Sequence, residues 1–145
     1  MQANDCPLCR DAAAPALWRD DRCRVVSAAD ADYPAFLRVI WQAHVREMTD
    51  LDPAGQQHLL RVVLAVERVL RTELAPDKVN LATLGNQVPH LHWHVIPRFA
   101  DDAHFPQPVW GARQRDSDTA ALAQRRARLP ELMREIALRL PAEAA

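Results

Sequence analysis

Three histidines alternate with apolar residues in one short segment of the chain. The segment His90–Ile96 has the sequence HLHWHVI and is flanked by Pro89 and Pro97. Side chains alternate between the two faces of a β-strand, so we expect the three imidazoles to share one face and the apolar residues to pack on the other. Because an unpaired imidazole is costly to bury in a core, the histidine face is predicted to line a cleft. This strand is the candidate active site.

One chemistry open to three imidazoles on one face is metal binding, since zinc accepts histidine nitrogens in clusters. Metallohydrolase and cupin patterns add an acidic ligand nearby, and no Asp or Glu occurs between Val88 and Ala100. This disfavours a catalytic metal held by all three histidines. A zinc-dependent hydrolase and a set of purely structural histidines stay open as alternatives.

The other chemistry is nucleophilic catalysis, because a neutral imidazole attacks phosphorus readily. His92 is the middle residue, so His90 and His94 flank it and could hold phosphate oxygens. Such a step needs donors aimed at the developing charge. The turn Gly85-Asn86-Gln87 precedes the strand and could supply backbone N–H groups, and glycine lets the backbone approach a phosphate closely.

The elements that must position this segment are short strands around one long helix. Asp52 and Pro53 predict a helix start, helical spacing of apolar residues follows for about six turns, and Pro76 ends the helix. A second helical segment, interrupted at Pro130, is expected over 118–140, and a short helical turn over 45–48. Strands are predicted over 17–19, 23–26, 36–41, 78–84 and 90–96.

The order of these elements predicts the fold class. The strands are not separated by repeated helices, and the short connection between 78–84 and 90–96 makes those two strands antiparallel neighbours. We therefore expect an α+β fold with a mainly antiparallel sheet of about five strands, one long helix and a C-terminal helical segment. A single domain is expected over 1–145, with an N-terminal arm at 1–15 and a C-terminal extension at 112–145.

Composition narrows the function classes. The chain has 145 residues, 49% of them hydrophobic, and a formal net charge of −1, so no basic surplus suggests a nucleic-acid partner. The first residues lack a cationic stretch followed by an apolar one, and no apolar run approaches the roughly 18 residues that span a bilayer. We expect a cytoplasmic protein without a membrane partner. Of its three cysteines, two form Cys6-Pro7-Leu8-Cys9, which in a reducing compartment indicates metal or redox chemistry.

The run from Gly85 to Arg98 resembles the signature of the histidine triad (HIT) superfamily, His-x-His-x-His with apolar residues between and after. The resemblance extends over residues 5–100. It takes in Asp20-Asp21-Arg22-Cys23 before a strand and Val39–His44 at the next strand, as well as the long helix. Departures are Gln87, where members often have Ser or Thr, and Phe36, where they often have His.

The resemblance implies a homodimeric α+β domain that hydrolyses or transfers nucleotides at the α-phosphate. Substrates in the family include nucleoside phosphoramidates and dinucleoside polyphosphates. By resemblance, His92 is the nucleophile that becomes nucleotidylated, His94 contacts the α-phosphate and His90 supports them. The implied substrate-binding residues are Asn80, Gly85, Asn86 and Gln87, with Asp30, or else Asp32, on the ribose hydroxyls. No metal or cofactor is required for this chemistry.

Several bacterial members of the family carry an N-terminal Cys-x-x-Cys that binds structural zinc. The matching ligands here would be Cys6, Cys9, His44 and His90, and two thiolates with two imidazoles form a sound tetrahedral set. Such a site would attach the N-terminal arm to the base of the catalytic strand. The alternative is a free thiol pair on a mobile arm. Cys23, within a strand, is expected to be a buried apolar residue.

The expected mechanism has two steps. His92 attacks the α-phosphorus while Asn86, His94 and loop N–H groups hold the oxygens, and water then cleaves the nucleotidyl-histidine. The competing hypothesis is a non-catalytic nucleotide-binding module that acts through partners. The loop Phe105–Trp110 could wall the substrate cleft, or it could only pack the C-terminal segment.

Overall fold

A computed structural model describes all residues, 1–145. One five-stranded antiparallel sheet forms its centre, with the strand order β1-β2-β3-β5-β4. The expected α+β class with a mainly antiparallel sheet is confirmed. The strands are β1 (Trp18–Arg19), β2 (Cys23–Ser27), β3 (Leu37–Trp41), β4 (Lys78–Ala82) and β5 (His92–Arg98). The helices are α1 (Pro7–Arg10), α2 (Pro53–Leu74) and α3 (Thr119–Glu143).

Helix α2 begins and ends where the sequence predicts. The Asp52 side chain accepts a hydrogen bond from the Gly55 N–H at 2.7 Å, and Pro53 occupies the first turn. The helix ends at Ala75, which adopts a left-handed conformation (φ +45°) before Pro76. Its apolar face packs on the sheet and on α3, and the buried residues are Leu59, Val62, Val63, Ala65, Val66, Val69 and Leu70.

Helix α3 continues through Pro130, so the predicted interruption there is wrong. A proline inside a helix costs about 3 kcal/mol or more, since it removes one hydrogen bond and crowds the preceding turn. Leu132, Ile136 and Leu140 are fully buried beyond it, and burial contributes about 1.5–3 kcal/mol for each such side chain. Packing against α2 therefore outweighs the local preference.

The bounds of β5 differ from the prediction at both ends. The strand begins at His92, so His90 and Pro89 precede it. At the other end it continues through Pro97 to Arg98. Strand β3 pairs with β5 only as far as Val95, so Pro97 lies where one edge of β5 is unpaired and its missing N–H breaks no ladder.

Two further bounds are shifted. Strand β4 ends at Ala82 rather than Leu84, and the turn expected over 45–48 is a 3₁₀ helix at Met48–Asp50. Cys23 is fully buried, as expected. No helix of the structure has the length and apolar character needed to cross a membrane.

The two faces of the sheet have different roles. Val25, Val39 and Val95 project toward the helices and join the main core. The opposite face of β5 carries His92 and His94, and the ladder with β3 places Ile40 beside His92 and Arg38 beside His94. The candidate site therefore lies on the face that the helices leave uncovered.

Candidate active site

His92 is oriented by a backbone carbonyl. Its Nδ1 lies 2.5 Å from the carbonyl oxygen of His90, which can only accept, so Nδ1 carries the proton and donates. The other ring nitrogen, Nε2, makes no hydrogen bond and keeps its lone pair for a ligand. Burial lowers the pKa of His92; the bond to the His90 carbonyl opposes this, and the charge on Arg38 adds to it. The ring is accordingly neutral at pH 7, which is the nucleophilic form.

His94 lies beside His92, with the two ring centroids 4.9 Å apart. Its side chain is buried and forms no hydrogen bond, and its Nδ1 has no partner. The rings of Phe36 and Trp110 contact it edge-on at centroid distances of 5.5 and 5.0 Å. Burial, then the charges of His92 and Arg38, lower the pKa of His94 to about 4. Its polar atoms are available to a ligand.

The loop between β4 and β5 approaches His92 closely. Thr83 Oγ1 donates to the His92 carbonyl at 2.7 Å and fixes the start of the loop to the strand. Gly85 has φ +81°, a conformation that favours glycine. The backbone N–H groups of Asn86 and Gln87 donate no hydrogen bond within the chain, so they are free to bind an anion.

These groups surround one cleft of about 290 Å³. The predicted residues Gly85, Asn86 and Gln87 line it together with His92 and His94. None of the residues that line the cleft is acidic, and Arg38 is the charged residue among them. The full lining is Leu8, Arg38, Leu84, Gly85, Asn86, Gln87, Val88, His92, His94 and Trp110.

The sequence interpretation missed several of these residues. Arg38 lies within the predicted strand 36–41 but is not among the predicted site residues, although the alternation of β3 places it on the outer face. Its pairing with His94 depends on the register of two strands far apart in sequence. Leu8 belongs to the four-residue helix α1 and Leu84 to the loop after β4, and neither segment is long enough to show a periodic pattern. Of the loop Phe105–Trp110, which could wall the cleft or only pack the C-terminal segment, Trp110 alone is among the lining residues.

His90 does not join the other two histidines. The expectation that all three imidazoles share one strand face is wrong, because β5 begins only at His92. The His90 ring is buried and lies 3.4 Å, Nδ1 to Sγ, from both Cys6 and Cys9. Its contribution to the cleft is the carbonyl oxygen that orients His92.

The cluster around His90 has the dimensions of a tetrahedral metal site. The Nδ1 atoms of His44 and His90 are 3.2 Å apart, and Cys9 Sγ lies 3.4 Å from His44 Nδ1. Ligands around a tetrahedral zinc would be separated by about 3.3 Å (N to N) and about 3.5 Å (S to N), given the usual bond lengths. The ligand atoms of Cys6, Cys9, His44 and His90 all lie within 4.8 Å of one another.

The second ring nitrogens of both histidines have backbone acceptors. His90 Nε2 donates to the Trp41 carbonyl at 2.6 Å, and His44 Nε2 donates to the Met1 carbonyl at 3.2 Å. Metal-binding histidines are oriented in this way, since a proton on Nε2 leaves the Nδ1 lone pair facing the metal. The four residues fit zinc in number, type and tautomer.

Two predicted substrate ligands lie outside the cleft lining. Asn80 is on the histidine face of β4, but its side-chain oxygen accepts a hydrogen bond from Arg98 at 2.8 Å. Asp30 is exposed in the loop after β2. The alternative, Asp32, forms an ion pair with Arg113 at 2.8 Å. Ribose binding by either acid stays a prediction.

The fold and the site together define a class of protein: an antiparallel α+β domain with an oriented histidine on its open sheet face. The family model described as "HIT domain" matches residues 10–101, which is more than half of the chain. The chain belongs to the HIT family. Comparison with the curated proteins gave no match.

Solved structures agree with this assignment. A histidine triad protein from Bradyrhizobium japonicum is 33% identical, with 83% of this chain and 87% of that chain covered and a TM-score of 0.67. A histidine triad protein from Marinobacter aquaeolei VT8 is 31% identical over 88% and 95% of the two chains, also with a TM-score of 0.67. A Zn-bound histidine triad family protein from Mycobacterium smegmatis shares the fold at 22% identity, covering 90% and 97%, with a TM-score of 0.59.

Proposed function

We propose that the protein is a nucleotide hydrolase or nucleotidyl transferase. It acts at the α-phosphate of nucleoside phosphoramidates or dinucleoside polyphosphates through a covalent nucleotidyl-histidine. The observation that carries this proposal is the state of His92: Nδ1 donates to a carbonyl, and Nε2 has no partner and opens on the cleft. An imidazole in that tautomer is ready to attack.

The chemistry proceeds in two displacements. The Nε2 lone pair of His92 forms a bond to the α-phosphorus as the bond to the leaving group breaks, and the leaving group takes that electron pair. An amine takes a proton from solvent as it leaves, and the water that attacks in the second step releases one. Water then attacks the same phosphorus, the bond to His92 breaks, and a nucleoside monophosphate and neutral His92 result. His94, Asn86 and the free N–H groups of the loop stabilise the oxygens in both steps.

Adenosine 5′-phosphoramidate and diadenosine polyphosphates test the proposal directly. Wild-type protein is expected to release AMP, and mass spectrometry of the quenched enzyme is expected to show an AMP adduct on His92. His58→Asn is a matched control, since His58 lies away from the cleft and pairs with Asp20. If wild-type protein binds AMP but turns over none of these substrates, the non-catalytic binding module is the better description.

We further propose that Cys6, Cys9, His44 and His90 bind a structural zinc ion. The near-tetrahedral spacing of the four ligand atoms supports this, and the related histidine triad family protein from Mycobacterium smegmatis is Zn-bound. The ion would hold α1 and the N-terminal arm against the segment that leads into β5. Turnover that persists after chelation would separate this role from a zinc-dependent hydrolase.

We also propose that the protein forms a homodimer in the cytoplasm. Strand β4 is at an edge of the sheet and exposes Leu81, and such an edge can pair with a second copy. The three cysteines are unpaired, which suits a reducing compartment. Sedimentation analysis is expected to give twice the chain mass, and Leu81→Lys is expected to weaken the dimer.

A further inference from the structure

Three arginines project from the sheet face that carries His92 and His94. Arg38 is paired with His94 across β3 and β5, and Arg24 is paired with Ile40, the neighbour of His92. Arg98 is on β5 itself, four residues beyond His94. A guanidinium group is charged at all physiological pH values and presents five donors, so each of these side chains needs acceptors.

The protein itself supplies acceptors to two of the three. Arg24 is 1% exposed, and it donates to Gln42 Oε1 and to the Leu8 carbonyl, both at 2.6 Å. Arg98 is 2% exposed and forms an ion pair with Asp102 at 2.8 Å. These two side chains are held in place as parts of the structure.

Arg98 has more partners than this one carboxylate. It also donates to Asn80 and to the Gln107 carbonyl. Burial alone would raise the pKa of Asp102, but hydrogen bonds from Arg98 and from three backbone N–H groups hold it below its usual range. The pair is therefore ionised, and four of the five N–H donors of Arg98 are used within the chain.

Arg38 has no acceptor in the protein. It forms no hydrogen bond and no ion pair, and its Nε is buried without a partner. Its guanidinium carbon lies 5.9 Å from the centroid of the Phe36 ring. The cleft that Arg38 lines contains no carboxylate. A charge left partly buried and unpaired destabilises the fold unless a ligand completes it.

His94, which is paired with Arg38 across the ladder, also has a buried polar atom without a partner. His94 is 6% exposed and makes no hydrogen bond, and its Nδ1 is buried without a partner. Two polar side chains on paired positions each have a buried nitrogen without a partner, and beside a free nucleophile they fit a ligand with several acceptor oxygens and negative charge. A phosphoryl group has both properties, and the planar guanidinium matches its oxygens in pairs.

We propose that Arg38 completes the oxyanion subsite beside His94 by donating to the non-bridging oxygens of the phosphoryl group attacked by His92. The proposal rests on the proposed function and adds Arg38 to that site as a further catalytic residue. Negative charge on these oxygens grows as the attacking bond forms, so the subsite binds the transition state more tightly than the substrate.

Kinetics of Arg38 variants test the subsite. Arg38→Met is expected to lower kcat/KM about 100-fold or more, the usual loss when one oxyanion donor is removed. Arg38→Lys keeps the charge but not the paired donors, so its kcat/KM should lie between those of wild type and Arg38→Met. Arg71→Met removes the same charge from an exposed position on α2 and is expected to leave kcat/KM unchanged. Thermal unfolding of each variant checks that the fold is intact.

Binding without turnover separates this proposal from the proposed function. Calorimetry is expected to show that wild type prefers AMP to adenosine, and that Arg38→Met lowers AMP affinity about 10-fold or more while adenosine affinity is unchanged. That pattern in a wild-type protein without turnover would support the subsite and contradict the hydrolase. If Arg38→Met turned over substrate and bound AMP as well as wild type does, the subsite would be contradicted and the proposed hydrolase function would be unaffected.

Discussion

His90 and His94 are four residues apart, but the protein treats their side chains in opposite ways. Both nitrogens of His90 have neighbours: Nε2 donates to the Trp41 carbonyl, and Nδ1 faces the two cysteines and His44. His94 is also buried and has no hydrogen-bond partner at all. The ring nitrogens of His90 have neighbours within the chain, whereas the buried Nδ1 of His94 has no partner there.

This difference separates a histidine that stabilises the fold from one that is available to a ligand, within one motif. A group whose hydrogen bonds are satisfied by the fold stabilises the fold and resists movement. A buried group without a partner lowers stability and raises affinity for whatever completes it. Substitutions in the two regions should therefore affect different measurements.

The largest expected effect is at His92. His92→Asn removes the nucleophile and should lower kcat by at least about 10⁴-fold, as loss of a covalent catalyst usually does. AMP affinity should stay near that of wild type. Steady-state AMP release and calorimetry measure the two quantities. A variant that kept more than a tenth of wild-type kcat would show that another group makes the attack.

The next largest effect is expected at the cluster of Cys6, Cys9, His44 and His90. Here a substitution should change stability and leave kcat nearly unchanged. Cys9→Ser, or removal of metal by a chelator, should destabilise the fold by about 4 kcal/mol where free zinc is about 1,000 times its Kd. Because none of the four cluster residues lines the cleft, kcat should change little at temperatures where the variant is folded. Denaturant unfolding with and without added zinc is the measurement. Equal stability under both conditions would contradict a zinc site.

The third effect is a pH dependence of the free energy of unfolding, which arises from the burial of His94. Its pKa is about 4 in the fold and near 6.5 when unfolded, so between these values the unfolded chain binds the extra proton. The associated stability is complete above about pH 6.5 and is lost as pH falls toward 4, with a difference of about 3 kcal/mol. His94→Asn should remove this part of the slope.

Denaturant unfolding of wild type and His94→Asn at several pH values isolates the histidine term. Both proteins keep the cysteine–histidine cluster, so its protonation cancels in the difference between them. Parallel stability curves for the two proteins over this range would mean that His94 is solvated or paired in solution.

The smallest expected effect is at the loop. Gly85→Ala places a side chain at φ +81°, which should cost about 1–2 kcal/mol of stability or shift the loop. A shifted loop would misplace the N–H groups of Asn86 and Gln87, so AMP affinity should fall while the zinc content stays the same. Gly55→Ala, at the start of α2 and outside the cleft lining, is the control for a loss of stability alone, because its added Cβ would lie 2.9 Å from Asp52 Oδ1. Unchanged AMP affinity in Gly85→Ala would remove the loop from the anion site.

Much of this arrangement is predictable from the sequence, because local rules apply to it. The caps of α2, the antiparallel pairing of β4 with β5 and the burial of Cys23 follow from residue type and spacing. His92 and Gly85 follow from the motif, and the four residues predicted for the cluster lie together.

The errors have a common physical origin in contacts between distant segments. Alternation along a strand cannot show where the strand begins, so the pattern places His90 on the wrong surface. Pro130 lies inside α3 because packing on α2 exceeds its local cost. Arg38 meets His94 only through the register of β3 with β5. Each outcome depends on a partner that is more than 20 residues away.

The hydrogen bond from His92 to the His90 carbonyl has a consequence for how the motif can vary. Histidine nucleophiles and bases are often oriented by an acidic side chain, which a single mutation can delete. Here the acceptor belongs to the peptide backbone, which every residue type provides. Position 90 can therefore lose its ring, and with it a ligand of the proposed zinc site, without losing the oxygen that sets the tautomer of His92. The tautomer of His92 can be conserved in evolution independently of that proposed ligand.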